Sequence, residues 1–95
     1  MESIISNTKE CYFCKTQVGL EKHHAMHGTA NRQLAGKDGL WVWVCGECHR
    51  GTNGVHGRDG HGKDTTLKMA AQWAWMKAYG KTEDDFRRRY GKNYL

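Results

Sequence analysis

Four cysteines stand in two Cys-x-x-Cys pairs, Cys11 with Cys14 and Cys45 with Cys48, about thirty residues apart. That spacing delivers four thiolates to one tetrahedral ion, as in zinc ribbons and treble-clef domains. It therefore pins a turn near the start of the chain against a turn at its middle. A chain of 95 residues is near the size at which an apolar core alone gives only a few kcal/mol of net stability, so a staple is expected. Zinc is expected rather than disulfides. No N-terminal apolar run resembles a secretion signal, and no stretch is long enough to span a membrane. A cytoplasmic setting follows, with no membrane contact, and there paired cysteines bind metal.

Around the cysteines the pattern is α+β. Residues 1–9 are polar and expected to be loose. Residues 11–14 form a knuckle, and residues 18–26 a strand. Residues 28–39 are punctuated by Gly28, Gly36 and Gly39 and read as loop, with a helical turn at 31–35. The β-branched and aromatic run 40–44 is a strand that enters the second knuckle. A short helix begins over 46–49 and is stopped by Gly51, Gly54, Gly57, Gly60 and Gly62. Asp64 or Thr65 then caps a helix over 66–79, ended by Gly80, and Thr82 caps another over 83–90. The chain is expected to be one domain, with a core over 10–63 and a helical extension over 64–95.

Trp41 and Trp43 alternate with Val42 and Val44, so one face of that strand enters the core and the other is expected to cover the long helix. In the 66–79 helix, Leu67, Ala70, Ala71, Ala74, Trp75 and Ala78 fit one apolar face. Met69, Trp73 and Met76 extend the apolar surface around the helix, which points to a partner protein or a homodimer.

The formal charge of +5 favours a polyanionic partner. Lys15, Lys22, Arg32, Lys37, Arg50 and Arg58 lie in the same segment as most of the histidines. His23 and His24 are adjacent at a strand end and point to opposite faces, so one can ligate a metal while the other serves as a base. His49 opens the knuckle helix, and Asn53 follows one turn later on the same face. His56 sits in a glycine-flanked segment able to fold back toward His49. His27 and His61 read as solvent- or substrate-side residues.

The Glu21-Lys-His23-His24 strand end, Asn31 in the segment after it, and the Trp-Val-Cys45-Gly-Glu-Cys48-His49 corner resemble the HNH family of ββα-metal (His-Me finger) nucleases. With Gly-Val-His56 downstream, the pattern looks like a group of small HNH proteins common in phages and prophages. The resemblance covers residues 11–56. It implies a zinc-stapled, treble-clef-like ββα-metal core and residue roles. His24 matches the general base. His23 matches the first metal ligand, at a position often filled by Asp in the family. Asn31 matches the Asn that braces the loop and orients the base, and His49 the helix-borne ligand. His56 is the expected last ligand, with Asn53 as the alternative. Arg32 and Arg50 are candidates for phosphate contact.

The implied activity is metal-dependent hydrolysis of DNA phosphodiesters, leaving 5′-phosphate and 3′-hydroxyl ends, in a bacterial host cell. A neutral imidazole suits the deprotonation of water, and a divalent ion suits the charge that develops on phosphate and leaving oxygen. Mg²⁺ or Mn²⁺ is the expected catalytic ion beside the structural Zn²⁺. A histidine-rich site also admits Ni²⁺ or Zn²⁺. Two other readings fit the residues: a zinc module that binds nucleic acid or protein without chemistry, and a phage accessory protein acting on host factors.

Overall fold

The computed structural model describes residues 1–51, 54–57 and 60–95. Its architecture is α+β. Strands β1 (Leu20–His24) and β2 (Trp41–Cys45) are joined by helix α1 (Thr29–Asp38). Helices α2 (Gly46–Arg50), α3 (His61–Tyr79) and α4 (Glu83–Tyr90) follow. The strands pair antiparallel, with His23 opposite Val42 and Lys22 opposite Trp43. Strand alternation then sorts the side chains. Glu21 and His23 share a face with Val42 and Val44, while Lys22 and His24 share the other with Trp41 and Trp43.

Val42 and Val44 are buried in the core with Leu67, Ala71 and Trp75 of α3 and Phe86 and Tyr90 of α4. Here the expectation for the tryptophan face needs correction. Trp41 and Trp43 meet edge to face at 5.3 Å, and the N-terminal segment covers them in place of the long helix. Trp41 Nε1 donates to the Met1 carbonyl at 2.9 Å, and Ser3 Oγ donates to the Trp41 carbonyl at 2.5 Å. The Ile4 amide donates to Gly39 at 2.9 Å. Residues 1–9, expected to be loose, are thus laid over β2. Gly39 makes this possible: its φ is +79°, and a Cβ there would stand 2.5 Å from the Glu2 carbonyl.

Two helices differ from expectation. The segment read as loop is the ten-residue α1. Its glycines suggested breaks, yet Ala30, Arg32, Gln33, Leu34 and Ala35 are adequate helix formers. Gly39 closes the helix in the left-handed C′ conformation. Helix α3 starts at His61 rather than 66. The Asp64 amide already donates to the Gly60 carbonyl at 3.1 Å, so Asp64 lies inside the first turn, where its charge complements the helix dipole. Gly80 ends α3 as expected. Thr82 and Asp85 form a reciprocal capping box on α4.

Helix α1 ends in a buried carboxylate that joins three helices. Asp38 accepts from Trp75 Nε1 (3.0 Å), Arg89 Nε (2.6 Å) and Nη2 (2.9 Å), and Tyr90 Oη (2.6 Å). Gln72, fully buried on α3, donates to Asn93 and accepts from the Tyr94 amide, which fastens residues 93–94. On the outer side of α3, Met69 and Trp73 remain exposed. Among the described residues, no helix is long and apolar enough to cross a membrane.

Candidate metal centres

The first centre is made of sulfur. The four cysteine Sγ atoms all lie within 4.8 Å of one another, with Cys14 and Cys45 at 3.6 Å. Thiolates held 2.3 Å from a tetrahedral ion stand about 3.8 Å apart, so the four can hold a zinc ion. Local structure sets each one. The Lys15 amide closes a turn onto the Cys11 carbonyl, and Lys15 takes a left-handed φ of 69° to reverse the chain. Tyr12 N–H donates to the Trp43 carbonyl at 2.9 Å and ties this knuckle to β2. Cys45 ends β2 and caps α2, which carries Cys48.

Burial disfavours a Cys11 thiolate, but backbone N–H groups of Cys14, Cys45 and Phe13 outweigh it and bring the pKa down to about 6. Burial and the other three sulfurs push Cys48 far above its ordinary value. One negative charge is readily held here, while further ones repel each other until a cation balances them.

The second centre is made of imidazoles. Strand β1 turns His23 inward, where it is 3 % exposed. Helix α2 presents His49, whose ring centre is 5.0 Å from that of His23. After α2 the chain folds back: Val55 N–H donates to the Cys48 carbonyl at 2.8 Å and His56 N–H to the His49 carbonyl at 3.1 Å. Gly54 permits the return, since a Cβ there would meet the Cys48 carbonyl at 2.7 Å. His56 then stands 4.9 Å from His23 and 4.7 Å from His49, centre to centre. One ligand nitrogen from each of the three lies within 4.8 Å of the others. Burial, then the neighbouring imidazoles of His49, His56 and His27, lower His23 to about 3. Burial and the charges of His49 and His27 also lower His56. Both rings are thus neutral at pH 7, the ligating form.

His24, on the opposite strand face, packs toward α1, where a Cβ on Gly36 would lie 3.5 Å from its Nε2. It still reaches the same open cavity, lined by His23, His24, His27, Arg32, His49 and His56 among others. Burial and the nearby Lys22 and Arg32 charges hold His24 below the usual imidazole range. Arg50 also borders the cavity, but its Nη2 donates to Glu21 Oε2 at 2.7 Å. Asn31 is placed differently from the role drawn for it. It lies on α1, does not line the cavity, and donates from Nδ2 to the Tyr90 carbonyl at 3.1 Å. It braces α1 against the end of α4. Asn53, the alternative last ligand, falls outside the described residues.

Three further residues of the cluster were not assigned to it from sequence. Glu21 Oε1 is 2.7 Å from His49 Nδ1, which leaves Nε2 as the free nitrogen of that ring. The hydrogen bond from His49, then the Arg50 charge, hold Glu21 below the usual carboxylate range against the opposing effect of burial. Glu21 stands two residues before His23, so strand alternation could have placed it on the same face. His27, read as a solvent- or substrate-side residue, joins the cluster 5.9 Å from His23 and 5.6 Å from His56. Asp64 comes from α3 and lies 3.1 Å from His27 Nε2. His61 opens α3 and is exposed.

Outer carboxylates of the Glu21 kind raise ligand basicity and fix the ring. Replacing Glu21→Gln is expected to weaken Ni²⁺ binding by about 10–100-fold, measured by calorimetry on protein whose thiolate site is left filled. Unchanged affinity would reduce Glu21 to a surface ion-pair partner of Arg50.

Compared with protein-family models, curated proteins and solved structures, the chain matches none of them.

Proposed function

We propose that this protein is a metal-dependent endonuclease of the HNH type that hydrolyses DNA phosphodiester bonds. The observation that carries the proposal is the convergence of His23, His49 and His56 on one cavity that His24 enters from the opposite strand face. His23, His49 and His56 are the residues that would hold the catalytic ion. Cys11, Cys14, Cys45 and Cys48 would hold a separate structural zinc. The donor set fits, since His23 Nε2 is buried without a hydrogen-bond partner, a costly state for a polar atom that a bound cation relieves.

The chain's own groups divide the work. His24 is kept neutral by burial and by the positive charge of Lys22 and Arg32, so at pH 7 it can take a proton from an attacking water. Arg32 lines the cavity and would draw a phosphate into it, and Arg50 would add positive charge at the rim, tempered by Glu21. Mg²⁺ or Mn²⁺, when bound, would supply counter-charge for the phosphate oxygens and the departing 3′ oxygen.

The test uses supercoiled plasmid with Mg²⁺ or Mn²⁺. The parent protein is expected to nick it and EDTA to stop nicking. His24→Ala is expected to lose about 10²–10⁴-fold in rate with an unchanged helical signal. Binding without nicking by the parent would leave a non-catalytic nucleic-acid module. Equal nicking by parent and His24→Ala would remove His24 from the chemistry.

A further inference from the structure

A set of three imidazoles poorly matches a hard cation, which prefers oxygen ligands. The cluster does contain an oxygen ligand. His23, His27 and Asp64 form a second triad whose ligand atoms lie within 4.8 Å of one another, and it shares only His23 with the His49–His56 triad. Two buried side-chain polar atoms among the described residues have no hydrogen-bond partner, and both belong to this triad: His23 Nε2 and Asp64 Oδ1. His27 Nε2 stands 3.1 Å from Asp64 Oδ1 without the alignment of a hydrogen bond. Lys68 occupies only the other carboxylate oxygen, Oδ2, at 2.5 Å. Two unpartnered buried atoms, with the His27 nitrogen 3.1 Å from one of them, are arranged as ligands around a cation.

We propose that His23, His27 and Asp64 form a second position for the labile cation, alternative to the one formed by His23, His49 and His56, and that hard ions take it. This rests on the cluster being a metal centre and refines the ligand set given above: a hard catalytic ion would keep His23 and exchange His49 and His56 for His27 and Asp64. Sharing His23 makes the positions mutually exclusive. Mn²⁺ and Mg²⁺ settle on the side with the carboxylate, and Ni²⁺ and Zn²⁺ on the side with three imidazoles.

The experiment is calorimetric titration of the protein, its thiolate site left filled, with Mn²⁺ and separately with Ni²⁺. Mn²⁺ is also followed by the electron paramagnetic resonance of the free ion. Asp64→Asn removes the anionic oxygen at nearly constant size. It is expected to lower Mn²⁺ affinity about tenfold or more while Ni²⁺ affinity stays within about twofold. His56→Ala is expected to do the reverse. His27→Ala, at a ring 42 % exposed, should repeat the Mn²⁺ loss without disturbing the Asp64–Lys68 pair, so the outcome does not hang on Asp64→Asn folding. One labile ion per chain is expected. The proposal is overturned if Mn²⁺ affinity survives both Asp64→Asn and His27→Ala, if both ions weaken equally, or if two labile ions bind at once. Failure of the parent to bind any labile ion would remove the metal-centre reading itself, a result distinct from these three.

Discussion

Cys11→Ser is expected to leave the chain without a cooperative thermal transition, and stripping the thiolate-bound ion with a strong chelator should do the same to the parent. Net stability of a domain this small is a few kcal/mol, whereas a structural zinc site supplies about 10–16 kcal/mol of apparent binding energy that is also folding energy. Cys11 is fully buried and belongs to the knuckle that Tyr12 ties to β2. Its loss would leave three sulfurs that repel each other around an incomplete coordination shell. Differential scanning calorimetry with metal analysis checks this. A Cys11→Ser protein that melts cooperatively within about 5 °C of the parent, a shift of only ~1 kcal/mol at this size, would show that the sulfurs cluster without holding the fold.

The second large effect is expected at Asp38. Its carboxylate takes donors from Trp75, Arg89 and Tyr90, so it links α1 to α3 and α4. Burial and the Asp38 carboxylate push the Tyr90 phenol well above its ordinary value, so it stays a donor. Asp38→Ala would leave four donor groups on three side chains facing a gap, two of them on the charged Arg89. Arg89, with 35 % of its side chain exposed, can turn to water, but leaving the buried Trp75 and Tyr90 donors unsatisfied costs about 1–3 kcal/mol each, or about 4–8 °C per kcal/mol in a domain of this size. Asp38→Asn keeps acceptor capacity but not charge and should fall between parent and Ala. Denaturant unfolding reads both. A loss below about 1 kcal/mol for Asp38→Ala would mean that water replaces the carboxylate freely and that apolar packing alone holds the helices.

What could be seen in the sequence was what local patterns encode. The cysteine pairs, both strands, α4 with its cap, and the placement of His23 and His24 on opposite strand faces follow from spacing and alternation. Helix α1 was hidden because Gly36 and Gly39 resemble a broken loop, although one lies within the helix and the other ends it. Asp38 and Asp64 could not be recognised, since their partners lie up to 52 residues away or arrive from a different element. Asp64 also suits an N-cap so well that its reach toward His27 is invisible until α3 is seen to begin at His61. Asn31 has the residue type expected near a nuclease base, but its partner is the Tyr90 carbonyl.

Helix α2 is only five residues long, yet it carries a sulfur ligand at Cys48 and an imidazole at His49, next to each other in the chain. The two candidate metal sites are therefore mechanically one piece. A change that loosens the backbone at Cys48 would also carry the His49 ring away from His23 and His56.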